Sequence, residues 1–306
     1  MVAAAAMAVT VSIAHQPKPS GSVKFTAGPV TRCRTVPAFA KALGYTESSV
    51  LDTLGNKKGL VLYDPPASQG GQPVHVYQHP TWGTAGYLGP LTSDKSGNIY
   101  VAPAPRVNLY DNPPDKQNTV YRVAAATGTM AEFIALPAAA APSPANPYGV
   151  LGLTYDCDTH SLYASSVAGS TRAQEVGRIY HIDLHTGQIV SQLDGIDAFG
   201  LGVFNGASGK RLYFGSARVS EVRSVALAND GTFAGKPRPE VSLVGWGPEG
   251  DDKARRIVFD QRDVMVVRGM EFEFNLIATS ERRQTEYRLA YDPSADGWKP
   301  LEGYGR

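Results

Sequence analysis

Leu91-Thr92-Ser93-Asp94-Lys95-Ser96-Gly97-Asn98-Ile99-Tyr100-Val101 and Leu153-Thr154-Tyr155-Asp156-Cys157-Asp158-Thr159-His160-Ser161-Leu162-Tyr163-Ala164 follow one plan. Each is a short apolar strand, a polar turn opened by Asp, and a second apolar strand. Asp, Asn, Thr and Gly at the turn suit a tight hairpin, because their side chains bond local backbone or tolerate unusual torsions. A second half follows each copy: Val120-Tyr121-Arg122-Val123 closing at Thr127-Gly128, and Ile179-Tyr180-His181-Ile182 closing at Thr186-Gly187. Weaker copies begin at Gly200-Leu201-Gly202-Val203-Phe204 and at Arg256-Ile257-Val258-Phe259, and another covers Ser49 to Asp64. A period of about 50 residues built only of strands predicts stacked blades around an axis. A β-sandwich has frequent turns too, but lacks this longer self-similarity. The expected fold is all-β: a β-propeller of four-stranded blades with five recognisable repeats, five- or six-bladed. Leu91, Leu153, Leu201 and Ile257 are the expected buried residues of the innermost strands.

The segment Asp52-Thr53-Leu54-Gly55-Asn56, followed by Leu60-Val61-Leu62-Tyr63-Asp64, resembles an NHL-type repeat. Asp94 to Val101 and Leu153 to Ser165 are similar to blades of the gluconolactonase and strictosidine-synthase-like propellers. The likeness spans most of the chain after about residue 35, as a loose blade consensus. It implies six blades, with residues 22–36 supplying a closing strand or part of another blade. It also implies a divalent cation, such as Ca²⁺, at the mouth of the central channel for lactone or ester hydrolysis. Such hard cations need oxygen ligands. The equivalent positions here hold Gly89, Leu151, Phe199 and Arg255, none of them an oxygen ligand. A slip of the alignment brings in Asn146, Asp197 or Asp252 as fallback metal candidates.

The other chemistry-bearing clusters fit structural places better. Asp156-Cys157-Asp158-Thr159-His160 occupies a hairpin turn and lacks the Gly and distal Glu of a calcium loop. His181 and Asp183 share a face of a peripheral strand, with His185 just beyond it. The sequence has no Gly-x-Ser-x-Gly elbow, P-loop, dinucleotide-binding glycine pattern or H-E-x-x-H motif. Trp82, Tyr110 and Trp246, in loops between strands or blades, are the candidate binding residues, since long loops on rigid scaffolds carry recognition. No catalytic residue is assigned.

The 306 residues, with 42% hydrophobic content, suffice for one full core. Residues 22–306 form the expected propeller domain, and 1–21 a signal-like or anchoring segment with its linker. Val2 to Ala14 is an apolar run too short to span a bilayer, and Ser12-Ile13-Ala14 resembles a small-residue cleavage site. The expected location is therefore secreted, periplasmic or cell envelope. Cys33 and Cys157 are the two cysteines, and the sequence leaves open whether they pair or stay as separate thiols. With 29 basic and 28 acidic residues, nothing favours nucleic acid, and a membrane is approached only through the N-terminal segment. The expectation is a binding or interaction module, without cofactor, taking a protein partner or small ligand at the inter-blade loops. The alternatives are a metal-dependent lactone or ester hydrolase and a structural subunit of an envelope complex.

Overall fold

A computed structural model describes residues 25–53, 57–68, 71–105, 109–140, 145–274 and 284–301. The apolar run Val2 to Ala14, the Leu54-Gly55-Asn56 turn and Arg106-Val107-Asn108 lie outside the described residues. The chain begins with β1 (Gly28–Pro29) and a short helix, α1 (Ala38–Ala42). Five antiparallel sheets follow in strict sequence order. Blade 1 holds β2 (Val50–Asp52), β3 (Val61–Asp64) and β4 (Val74–Tyr77). Blade 2 holds β5 (Leu88–Ser93), β6 (Ile99–Pro103), β7 (Thr119–Val123) and β8 (Met130–Ala135). Blade 3 holds β9 (Val150–Asp156), β10 (Ser161–Ser166), β11 (Arg178–Asp183) and β12 (Gln188–Asp194). Blade 4 holds β13 (Ala198–Gly206), β14 (Gly209–Ser216), β15 (Glu221–Leu227) and β16 (Phe233–Ser242). Blade 5 holds β17 (Lys253–Phe259), β18 (Val264–Met270), β19 (Thr285–Asp292) and β20 (Gly297–Pro300). The propeller thus has five blades rather than six, and among the described residues its first blade has three strands rather than four.

The burial pattern explains why the strands read as they do. A middle strand lies between two neighbouring blades, so both faces are covered: every residue of β10, Ser-Leu-Tyr-Ala-Ser-Ser, is buried. The outermost strand β12 alternates between exposed and half-buried positions. Runs of small and apolar residues without alternation therefore mark the middle of a blade, as in β6 and β10, and period-two alternation its rim. Leu153, Leu201 and Ile257 are buried as expected, whereas Leu91 is partly buried. Asp opens the first hairpin of three blades for one reason: its carboxylate caps the turn. Asp94 accepts from the Ser96 and Asn98 amides at 2.8 and 2.9 Å. Asp156 accepts from the Asp158 amide at 2.9 Å, and Asp260 from the Arg262 amide at 2.8 Å.

Near the axis the blades approach closely. A Cβ on Gly152 would lie 2.2 Å from the Phe199 carbonyl oxygen, and one on Gly200 2.6 Å from that of Arg255. Any larger residue there would push neighbouring inner strands apart. Apolar clusters glue blades 1 and 2, 2 and 3, 3 and 4, and 4 and 5. Among the described residues, no such cluster joins blade 5 to blade 1.

A strap formed by residues 25–45 crosses the hairpin end of the ring instead. Its β1 lies on the axis side of β13, with Gly28 opposite Asn205, and completes no blade. Val30 is buried against blades 3 and 4, and its carbonyl accepts from the Cys157 amide at 3.1 Å. Cys33 and Cys157 are joined as a disulfide across a separation of 124 residues. Thr35 then bonds the Lys95 carbonyl of blade 2, and the Phe39 amide bonds Ala125. The strap finally enters blade 1. Blades 2, 3 and 4 are thus tied to the first by one continuous segment, and Arg32 reaches Asp263 of blade 5 at 3.8 Å.

Closing so long a loop removes conformational freedom from the unfolded chain, worth about 2–5 kcal/mol. Urea unfolding of the reduced protein should show a stability lower by about that amount than the oxidised form. Equal transition midpoints would show that the strap is held without its covalent lock.

Candidate functional site

The inner strands of blades 2 to 5 are irregular where they start, whereas β2 of blade 1 pairs in unbroken register. The register shifts between Leu88 and Leu91 in β5, Ala198 and Leu201 in β13, and Ala254 and Arg256 in β17. In blade 3 the shift lies between Ser165 and Ser166, opposite Gly152 and Val150. A bulge leaves extra residues out of the ladder and redirects them. Those residues include Gly89, Leu151, Phe199 and Arg255, and all four line one cavity of about 360 Å³ on the axis. The four positions that the resemblance to the gluconolactonase-like propellers makes equivalent do share the site. They supply two apolar side chains, one cation and one bare backbone position.

At the opposite end of the cavity stand Thr31 and Arg34 of the strap, with Asp52 and Thr53 of blade 1. The channel is therefore floored at the hairpin end and open where the inner strands begin. Arg34 donates to Thr92 Oγ1 at 2.8 Å. Its side chain is exposed toward the channel, with protein packed around it on the other sides. That burial, together with repulsion from Arg256, pushes the Arg34 guanidinium down to about 10. It remains charged at any physiological pH. Burial likewise lowers the Arg256 guanidinium, with Asp52 opposing the shift and Arg268 adding to it. The wall toward the mouth is apolar, formed by Leu151, Phe199, Met270 and Phe272.

The three fallback oxygen donors are close in sequence to the mouth but are committed elsewhere. Asn146 is buried and donates to the carbonyls of Val167 and Ser170 at 2.8 and 2.9 Å, while accepting from the Tyr148 amide. Asp197 accepts from Ser170 Oγ, from the Gly177 amide at 3.0 Å and from Arg218 Nε at 2.6 Å. Asp252 accepts from the Tyr287 hydroxyl. None of the three lines the cavity. Among the described residues, no group of three or more His, Cys, Asp or Glu is placed to hold a metal ion. The residues at the channel mouth do not fit a divalent cation: three bring no side-chain oxygen and the fourth is an arginine.

The aromatic candidates are dispersed. Trp82 is 0% exposed, and its Nε1 donates to the Gly128 carbonyl at 2.8 Å, so it packs blades 1 and 2 together and is out of reach of a partner. Trp246 is half-buried against Tyr287 of blade 5. Tyr110 is 93% exposed on the β6–β7 loop of blade 2. None of the three lines the channel. The residues that do, Arg34 and Arg256 above all, were missed by sequence reasoning. The only available signal was Arg255-Arg256 opening an inner strand, where the other blades carry apolar or glycine residues.

The Asp156–His160 turn is structural. Lys210, itself buried, bonds both Asp156 oxygens at 2.7 and 2.9 Å and reaches Asp158 at 2.8 Å. His181 is buried between Ser161 Oγ at 2.7 Å and Ser191 Oγ at 3.3 Å, and stacks on Tyr163. Such depth removes it from any ligand.

No protein-family model matches the sequence, and no curated protein matches it. Solved structures resemble the fold. An exo-beta-1,3-galactanase from Phanerochaete chrysosporium aligns with a TM-score of 0.52 at 10% identity, covering 84% of this chain and 61% of the galactanase. A luciferin-regenerating enzyme gives 0.47 at 12% identity, covering 80% of this chain and 74% of its own. Regucalcin, a calcium-binding protein from Agrobacterium tumefaciens, gives 0.44 at 16% identity, covering 82% and 77%. At these identities the likeness is one of fold alone.

Burial lowers the His181 pKa from its ordinary value. The unfolded chain therefore binds a proton that the folded one refuses, so His181 costs stability as pH falls below its unfolded value, about 6.5. Stability should decline from pH 7 to pH 5, and His181→Gln should flatten that part of the profile in urea unfolding. An unchanged slope would mean that other groups govern it.

Proposed function

We propose that the protein is an exported binding propeller whose ligand enters the central channel, and that it is not a metal-dependent hydrolase. The observation that carries this reading is the channel itself: floored by the strap, lined by Arg34, Arg256 and apolar side chains with Asp52 as the one carboxylate among the described residues, and ringed at its mouth by Gly89, Leu151, Phe199 and Arg255, which bring no side-chain oxygen. A cavity of about 360 Å³ has the size of a small-molecule site. Export is supported by the apolar run Val2 to Ala14 and by the Cys33–Cys157 disulfide, since such bonds persist in oxidising compartments. On this reading the ligand sits in the channel rather than at the loops of Trp82, Tyr110 and Trp246.

Val258 lines the channel and is 43% exposed, so a larger side chain there fills space without disturbing the core. In a thermal-shift screen of small metabolites, ligands that stabilise the wild type should lose their effect in Val258→Trp. Calcium titration by calorimetry should give no micromolar site. Micromolar Ca²⁺ binding lost in Asp197→Ala, with lactone or ester turnover, would overturn the reading in favour of the hydrolase.

A further inference from the structure

We infer that the channel takes a small organic anion, its carboxylate or phosphate held by Arg34 and Arg256 and its apolar body lying toward Phe199 and Leu151. This inference rests on the channel being the ligand site and adds the chemistry of what fills it.

The charge balance of the cavity points there. Among the described residues that line it, Arg34, Arg255, Arg256 and Arg268 face one carboxylate, Asp52. The whole chain carries a net charge of only +1, so this excess is local. Nor is the part of it on Arg34, Arg256 and Arg268 fully quenched from behind. Arg268 reaches Glu286 at 3.7 Å, but Glu286 is shared with Arg288 at 2.7 Å. Among the described residues, neither Arg34 nor Arg256 forms a close ion pair, and the Asp52 carboxylate accepts from its neighbouring Thr53 amide at 2.7 Å.

The arrangement also resists relaxation. Arg256 and Arg268 are directly opposed across the β17–β18 ladder, a like-charge pairing that weakens a sheet. Arg34 follows Cys33, so the disulfide fixes the backbone that brings a third guanidinium to the same place. Three like charges are thus held together by a strand register and a covalent bond. An anion relieves that repulsion, and the guanidinium fork matches the geometry of carboxylate and phosphate. Charge lies at the floor and at the blade 5 wall, while Leu151, Phe199, Met270 and Phe272 form the apolar side toward the mouth. A ligand with an anionic head and an apolar body fits that division.

The test is calorimetry on the oxidised full chain with benzoate, phenyl phosphate and the neutral benzamide. Benzoate or phenyl phosphate should bind at least tenfold tighter than benzamide, and more weakly as salt rises. Arg256→Met should lower that affinity at least tenfold, Arg256→Lys should restore part of it, and Arg172→Met, outside the cavity, should leave it unchanged. Should Arg256→Met fail to fold, Arg268→Met tests the same charge. Benzamide binding as well as benzoate, blocked by Val258→Trp but indifferent to Arg256→Met, would overturn the anion inference while keeping the channel as the site. Absence of binding by all three probes would overturn the anion inference, and binding unaffected by Val258→Trp would overturn the channel reading as well.

Discussion

The disulfide between Cys33 and Cys157 is the constraint on which the arrangement of the channel depends. Four of the five blade interfaces are held by buried apolar side chains, which associate without any directional control. Where blade 5 meets blade 1, the neighbours are Asp52 and Arg256, close enough for each charge to act on the other. A ring with one polar seam needs another element to hold its ends in register. The strap does this by running from β1, beside the inner strand of blade 4, through the disulfide on blade 3 and contacts on blade 2, into blade 1. The ring is clasped across its face rather than zipped by a shared blade.

That geometry has a chemical consequence. Because the strap crosses the axis, it converts a through-channel into a cavity with a floor, and it brings Arg34 to that floor. Because the seam is polar, Arg256 and Arg268 face the cavity instead of being replaced by core residues. The small residues of the inner strands matter as much. Gly152 and Gly200 let adjacent strands pass at contact distance, which narrows the channel to the scale of one small molecule. Local rules yield at this place: like charges stand opposite each other and ladders are broken by bulges. Such violations cluster where a protein meets a ligand.

The blades were legible because each repeats a short-range cause. Asp94, Asp156 and Asp260 cap hairpins through their own backbones, so the turns could be read without knowledge of the fold. The blade resemblance also aligned Gly89, Leu151, Phe199 and Arg255 as equivalent positions, and all four line the channel. Blade number was less legible, since residues 22–36 look like a strand candidate, whereas the described ones among them, 25–36, belong to a strap. Trp82 looked like a surface anchor because it lies in a loop, yet burial between blades is decided by tertiary packing, not by chain connection. Asn146, Asp197 and Asp252 have the right chemistry for a cation but spend it on neighbouring backbone, arginine and tyrosine groups. Arg34 was invisible for a different reason. Its meeting with Arg256 joins distant parts of the chain and depends on a disulfide that the sequence left undecided.

The central claim is that the locked strap holds Arg34 beside Arg256 at the floor of a ligand site. Arginine-selective labelling with phenylglyoxal, read by peptide mass spectrometry, addresses it residue by residue. In the oxidised protein, phenyl phosphate should protect Arg34 and Arg256 together while leaving the exposed Arg262 unprotected. Reduction of the disulfide should abolish the protection of Arg34. Labelling of Arg34 at the rate of Arg262, with or without phenyl phosphate, would contradict the account.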